Sequence, residues 1–326
     1  MTTLTDSRAP SAAQTPQLLD AAPATGTPPR DPFDQLEDAA GLSATRVRLI
    51  VFREQVRDVG RFLVRRPGFV VALLVVLTVI AAAIKPDWFT GRDPNATAPA
   101  ELLRPPGPGH LFGTDQLGRD LFARVVHGSS LTIEAALLAV SIAVAAGLLV
   151  GVVSGFVGGR LDVVLMRFID VLLAIPGLLL ALAIVTALGF GIVPVAVAVG
   201  VGIAPGFART TRAEVLRVKN LPYIEAVTVG GASRLRVVLR HVLPNSWGPV
   251  AALTVLEFGS SVISVASLSF LGFGVAPPAA EWGSLISAGR AYVVTAPWVC
   301  LIPGSVVAAL VFSLNHIARS VSERVA

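Results

Sequence analysis

Six apolar stretches of nearly bilayer-crossing length, separated by polar and basic loops, leave few folds open to this chain. They run approximately over residues 67–84, 130–154, 164–188, 191–208, 247–271 and 297–317. A helix needs about 20 predominantly apolar residues to cross a hydrocarbon core of ~30 Å, and each stretch approaches that length once its flanks are counted. With 54% hydrophobic residues, 14% charged residues and a mean hydropathy of +0.74, the chain is too apolar for a soluble domain. The expected fold is an all-α polytopic membrane protein with six transmembrane helices.

The polar segments suggest how such a bundle is oriented. Residues 1–45 are rich in Ala, Pro, Thr and Ser, lack the apolar run of a secretory signal, and read as a disordered cytoplasmic tail. Residues 46–66 carry Arg46, Arg48, Arg53, Arg57, Arg61, Arg65 and Arg66 at spacings suited to an amphipathic helix on the anionic inner leaflet, a use for membrane lipids and not for nucleic acid. Span one (67–84) is followed by an extracytoplasmic loop (85–129), then by a core (130–317) containing a cytoplasmic loop (209–245), and last by a short cytoplasmic C-terminus (318–326). The basic residues concentrate in the tail, the 155–167 turn, the 209–245 loop and the C-terminus. By the positive-inside rule these lie in the cytoplasm, on one side of a multi-pass membrane protein. The single cysteine, Cys300, allows no disulfide within the chain and no cysteine metal cluster.

One loop carries a specific pattern. Between Leu221 and Asn245, Glu225 and Ala226 are followed by Gly231 six residues after the glutamate, then by His241, Leu243 and Pro244 ten, twelve and thirteen residues after that glycine. The spacing predicts two short helices joined by a glycine turn. Asn220 is expected to cap the first, Gly230 and Gly231 to break it, and Pro244 to close the second. Leu235, Val238, Leu239 and Val242 would form an apolar stripe on that second helix.

Chemistry performed by the chain itself is poorly supported. A P-loop needs GxxxxGK[ST], but the two lysines are Lys85, followed by Pro, and Lys219, followed by Asn. No HExxH surrounds any of the four histidines, and no GxSxG elbow occurs. His110, Asp115, Asp120 and His127 could gather around a metal, although Asp120 and Arg124 read more simply as an i,i+4 surface pair. The expectation is a non-catalytic chain with no metal site and no bound cofactor. The literal string Glu134-Ala135-Ala136 is a decoy, because position 140 is Val where the loop pattern needs Gly.

The loop pattern resembles the EAA loop of the membrane subunits of ATP-binding-cassette importers, with Val227 in place of the usual second alanine. HLFGTDQLGRDLFARVVHG (110–128) is similar to the FGTDxLGRDxxSR signature of the dipeptide, oligopeptide and nickel branch, with Ala123 for serine. The segments 158–181, 267–283 and 289–304 are also similar to that branch, so the resemblance covers most of residues 65–315. It points to the C-type permease of the pair and implies a type I importer permease fold, driven by alternating access and most often carrying short peptides. Nickel or other small solutes such as glutathione stay open, and an ion-coupled secondary transporter is the remote alternative.

The same resemblance implies partners and site residues. A second homologous permease subunit, two cytoplasmic ATPase subunits holding ATP and Mg²⁺, and an extracytoplasmic substrate-binding protein are expected. Tyr223, Glu225, Ala226, Gly230, Gly231, Leu235, Val238, Leu239, His241, Leu243 and Pro244 would couple to the ATPase. Asp115, capping a short helix with Arg119, Asp120 and Arg124, would form a charged platform facing the binding protein. The branch usually has a glutamate where this chain has Val265, whereas Glu257 sits mid-span. A carboxylate at that depth suits either the translocation path or a bond to a neighbouring helix.

Overall fold

The computed structural model describes residues 67–325, with side chains described to residue 320. The tail (1–45) and the basic segment (46–66) of the sequence reading lie outside the described residues. Helix α1 (Pro67–Ile84) leads into an outer loop containing two 3-10 turns, Pro86–Trp88 and Pro99–Glu101. Then come α2 (Leu121–Val157), α3 (Gly159–Ala174), α4 (Gly177–Leu188), α5 (Ile192–Lys219) and α6 (Pro222–Val229). A single turn, α7 (Arg234–Val237), passes through a π-turn (Val238–Val242) into α8 (Leu243–Phe270). The chain closes with α9 (Trp282–Gly289) and α10 (Trp298–Val325), and no strand forms among the described residues.

Among the described residues, five helices are long and apolar enough to cross a membrane: α1, α2, α5, the continuous α7–α8 rod and α10. The expected third span, 164–188, is not one helix. It is the pair α3 and α4, bent by 95°, and the bundle reaches six spans only if that pair counts as one. The break follows from Ile175-Pro176. A residue before proline is pushed out of the α region, and Ile175 is extended at φ −91°, ψ 129°. Other boundaries move outward. The second span begins at Leu121, and the fourth continues to Lys219, so the loop expected in the cytoplasm shrinks to residues 220–233 outside the long helices.

The centre of the fold is the crossing of α2 and α5. Gly147, Gly151 and Gly155 put backbone against Phe207, Thr211 and Val215. A Cβ on Gly147 would stand 2.3 Å from Phe207 Cβ, and one on Gly151 2.5 Å from Thr211 Cβ. Small residues at such a crossing let backbones approach closely where lipid supplies no hydrophobic drive. Towards the outer side Ala135 and Ala139 of α2 meet Val195 and Val199 of α5, with Ala181 and Val185 of α4 and Val265 and Leu268 of α8 packed around them. A second cluster, including Leu121, Val125, Trp282 and Leu310, joins α2, α9 and α10. A continuous helix, α2, thus connects the outer loop to the cytoplasmic loop.

Candidate functional site

The loop between α5 and α8, expected in the cytoplasm, is built on the ends of α2 and α5. Ile224 of α6 is buried against Val215, Val218, Val237 and Val242, which seats the helix on α5 and on the start of the α7–α8 rod. Asn220 does not cap α6. It terminates α5, while α6 starts with Pro222 in its first turn, where the missing N–H removes no bond. The helix ends where the Gly230 N–H meets the Ala226 carbonyl at 2.9 Å, and Gly231 turns the chain at φ +84°. A Cβ on Gly231 would meet nothing within 4 Å, so glycine is required by its dihedral and not by a close approach of the two helices.

The second expected helix is not a separate unit. Ser233 Oγ accepts from Arg236 N at 3.4 Å, starting a helical rod that runs to Phe270. Pro244 does not end it. A π-turn over Val238–Val242 widens the ring just before the proline, accommodating a residue that would otherwise strike the carbonyl four positions back. The expected stripe also divides. Val242 is buried and Val238 half-buried, whereas Leu235 and Leu239 are 67% and 57% exposed. Tyr223, Glu225, Ala226 and Val229 are exposed on α6, and the Tyr223 and His241 rings meet edge-on at 6.4 Å. Between the elements opens a hollow of about 850 Å³, lined by Val152, Phe156, Ile224, Val229, Leu235 and Val238 among others.

Polar ties hold this platform to the spans. Arg212 of α5 donates twice to Asp162 of α3, at 2.6 Å each, and Ser154 of α2 donates to the same carboxylate. Arg209 donates to Asp170 at 2.7 Å, and Lys219 Nζ to the Phe156 carbonyl at 2.6 Å.

The outer loop treats its charges differently. Asp115 does not cap a helix. Its Oδ1 accepts from Leu117 N (2.8 Å) and Arg119 N (3.0 Å), and its Oδ2 from Arg119 Nε (2.7 Å). Asp120 is the cap of α2, accepting from Ala123 N at 2.8 Å, and it also receives Arg92 at 2.6 Å and faces His110 Nδ1 at 2.7 Å. Arg124 does not pair with Asp120. It donates to the Pro94 carbonyl at 2.9 Å and lies 3.6 Å from Asp115. Asp115, Arg119, Asp120 and Arg124 are all buried, so they brace the loop from inside instead of forming an exposed charged platform. His127 turns to its own helix, bonding the Ala123 carbonyl, and no group of three or more His, Cys, Asp or Glu that could hold a metal occurs among the described residues.

Two carboxylates complete the picture. Glu257 is half-buried in α8 and makes no hydrogen bond or ion pair among the described residues, so the expected bond to a neighbouring serine or threonine is not formed. Glu281, which the sequence reading passed over, caps α9. Its oxygens accept from Gly283 N and Ser284 N at 3.0 Å each and from Thr132 Oγ1 at 3.2 Å. Burial pushes the Glu281 carboxyl above the usual carboxylate range, and those bonds pull it partly back. An acidic residue directly before Trp-Gly-Ser and an apolar run was the available signal for a helix start. The decoy Glu134-Ala135-Ala136 lies inside α2 with both alanines buried.

Comparison with known proteins places this geometry. The family described as "Binding-protein-dependent transport system inner membrane component" matches residues 147–326. A putative peptide transport system permease protein of Brucella suis is 38% identical over 258 residues, 79% of this chain and 87% of that one. A probable D,D-dipeptide transport system permease protein of Escherichia coli is 38% identical over 236 residues, 72% and 79% of the two chains. A glutathione transport system permease protein of Pectobacterium atrosepticum is 35% identical over 260 residues, 79% and 86%. Among solved structures, an inward-facing MetNI methionine ABC transporter superposes with a TM-score of 0.51 at 19% identity. It covers 62% of this chain and 96% of that chain, a likeness of fold alone.

Proposed function

Because the chain belongs to the binding-protein-dependent transport system inner membrane components, a family of multi-pass transport permeases, we propose that it is the C-type membrane subunit of an ATP-driven importer of di- and oligopeptides. The names of its peptide-transport relatives support the cargo. Two ATPase subunits grip the loop around Gly231 from the cytoplasm, a second permease completes the pathway, and a binding protein delivers cargo to the outer loop. Both termini lie in the cytoplasm, in keeping with the distribution of arginines.

One observation carries the reading. A chain without a P-loop exposes two leucines and an open hollow on helices continuous with its spans. Closure of the ATPases on ATP pulls on α6 and α7. The close glycine crossing of α2 and α5 then moves as one body and carries the displacement to the outer loop. Glu257, at the middle of α8 and without a partner among the described residues, faces the path or the second permease.

The test is ATP-dependent dipeptide uptake in proteoliposomes holding both permeases, the ATPases and the binding protein. Gly231→Val should insert normally and abolish uptake, whereas Gly231→Asn, which tolerates positive φ, should retain most of it. Uptake by this chain alone under an ion gradient would overturn the reading. Transport of nickel or glutathione in place of dipeptides would keep the machine and replace the cargo.

A further inference from the structure

The surface around Leu235 and Leu239 has a charge pattern that nothing among the described residues answers. Leu235 and Leu239 stand one turn apart as an exposed ridge. Arg234 flanks it on one side, Arg236 and Arg240 on the other, and all three are exposed. None of the three makes an ion pair among the described residues. Glu225 is the only acidic residue between positions 221 and 245. An apolar ridge between basic rows is also the signature of a helix lying in an anionic membrane surface, so the two occupants must be separated by geometry.

The rod Arg234–Phe270 separates them. Its 37 residues measure roughly 56 Å, against a hydrocarbon core of ~30 Å. With Phe270 at the outer edge of the hydrocarbon, about 20 residues bring the rod to the inner edge, and Leu235 and Leu239 lie roughly 18–24 Å beyond it. A tilt of about 40°, the upper end of the usual range, uses about 26 residues and still leaves both leucines outside. The ridge therefore lies outside the hydrocarbon at either tilt, where exposed leucines favour an apolar protein surface over acyl chains. The hollow beside it, with Val229, Leu235 and Val238 in its lining, offers room for an apolar side chain from the same partner.

We propose that the ATPase subunit gripping this loop does so through an apolar groove with acidic walls, its carboxylates opposite Arg234, Arg236 and Arg240 and one bulky apolar side chain seated in the hollow between α6 and α7. This rests on the coupling role given above and adds the chemistry by which the chain selects its ATPase. Rim charges of this kind act mainly on encounter rate and on rejection of wrong partners, while the buried ridge sets the lifetime of the complex.

The experiment measures association of the cognate ATPase with the permease pair in nanodiscs, across a salt series, for wild type and the triple variant Arg234→Gln, Arg236→Gln, Arg240→Gln. The expected result is a wild-type association rate that falls as salt rises. The variant should associate about tenfold more slowly at low salt and with little salt dependence. Equal rates and equal salt dependence in the two proteins would overturn the acidic walls while leaving the coupling role intact. Failure of wild type to bind any ATPase would sink the coupling role itself. A difference between variant and wild type that is present in anionic nanodiscs and absent from neutral ones would assign the arginines to the membrane, also overturning the proposal. Leu239→Ala serves as the control for the ridge and should shorten the lifetime of the complex at every salt concentration.

Discussion

The two ends of the molecule are both rich in charge, and they use it in opposite ways. In the outer loop, Asp115, Arg119, Asp120 and Arg124 are buried and bonded from within the fold: Asp115 holds Arg119, Asp120 holds Arg92 and the Ala123 N–H, and Arg124 donates to the Pro94 carbonyl. In the loop between α5 and α8, Glu225, Arg234, Arg236 and Arg240 are exposed and make no ion pair among the described residues. Buried charges must be satisfied internally, since desolvation without a partner costs several kcal/mol. Charges left unanswered at a surface are free for a partner. A charged motif is therefore available to a partner only where the fold leaves it open, as around Arg234, Arg236 and Arg240 and not around Asp115 and Arg119.

The strongest way to break this comparison is to truncate one carboxylate at each end. Asp115→Ala strands Arg119 and Arg124 in a buried site, and we expect a loss of about 3–5 kcal/mol, read as a large fall in melting temperature and as protease sensitivity of the outer loop. Glu225→Ala removes an exposed group and should change stability by no more than about 0.5 kcal/mol, yet lower ATP-driven uptake. Equal destabilisation by the two variants would mean that the ends do not differ as described.

Between the ends, the α2–α5 crossing is the strut on which any coupling depends. Gly147→Leu drives a side chain into Phe207, which overpacks the crossing and should cost roughly 1–3 kcal/mol or more. Uptake should fall further than in a surface variant of equal stability, because the two ends no longer move as one body. Retained uptake at matched stability would show that displacement travels by another route, such as the α10 contacts of α8.

How much of this was visible in the sequence depends on the range of the interaction. Span one, at 67–84, coincides with α1, and the spacing from Glu225 to Gly231 gave the helix and turn, because both rest on local periodicity and on one glycine dihedral. The bend at Ile175-Pro176 was readable in principle, but the uninterrupted apolar run around it concealed the local signal. The inward turn of the outer charges was not readable. It depends on partners distant in sequence: Arg124 reaches Pro94 thirty residues back and Pro278 154 residues on, and Asp120 reaches Arg92 over twenty-eight. The persistence of the rod through Pro244 depends on a π-turn that spacing alone does not announce.

A smaller effect sharpens the cytoplasmic side. Ser233→Ala deletes the cap of α7 and should cost about 1 kcal/mol of local helix stability. Since α7 continues into α8, the fraying should stay in the first turn, seen as faster amide exchange at Arg236 with the global melt unchanged. Global destabilisation would mean that this loop is as tightly integrated as the outer one.

The smallest expected effect tests the outer side through pH. Glu281 is buried at the start of α9, and its native-state pKa lies above that of an exposed glutamate. Over the interval between the two pKa values the native state therefore holds more protons than the unfolded state, and stability falls as pH rises through that interval. Glu281→Gln cannot ionise and mimics the neutral carboxyl, with a carbonyl oxygen for one of the Gly283 and Ser284 N–H groups, which bond different oxygens of Glu281. Its melting temperature should be nearly flat where the wild type declines, so that the two curves converge at low pH and separate in the variant's favour as pH increases. A variant curve parallel to the wild type would place the pH dependence in another group. A variant less stable at every pH would mean that the charged form is the one the surrounding donors prefer, the opposite of what burial dictates.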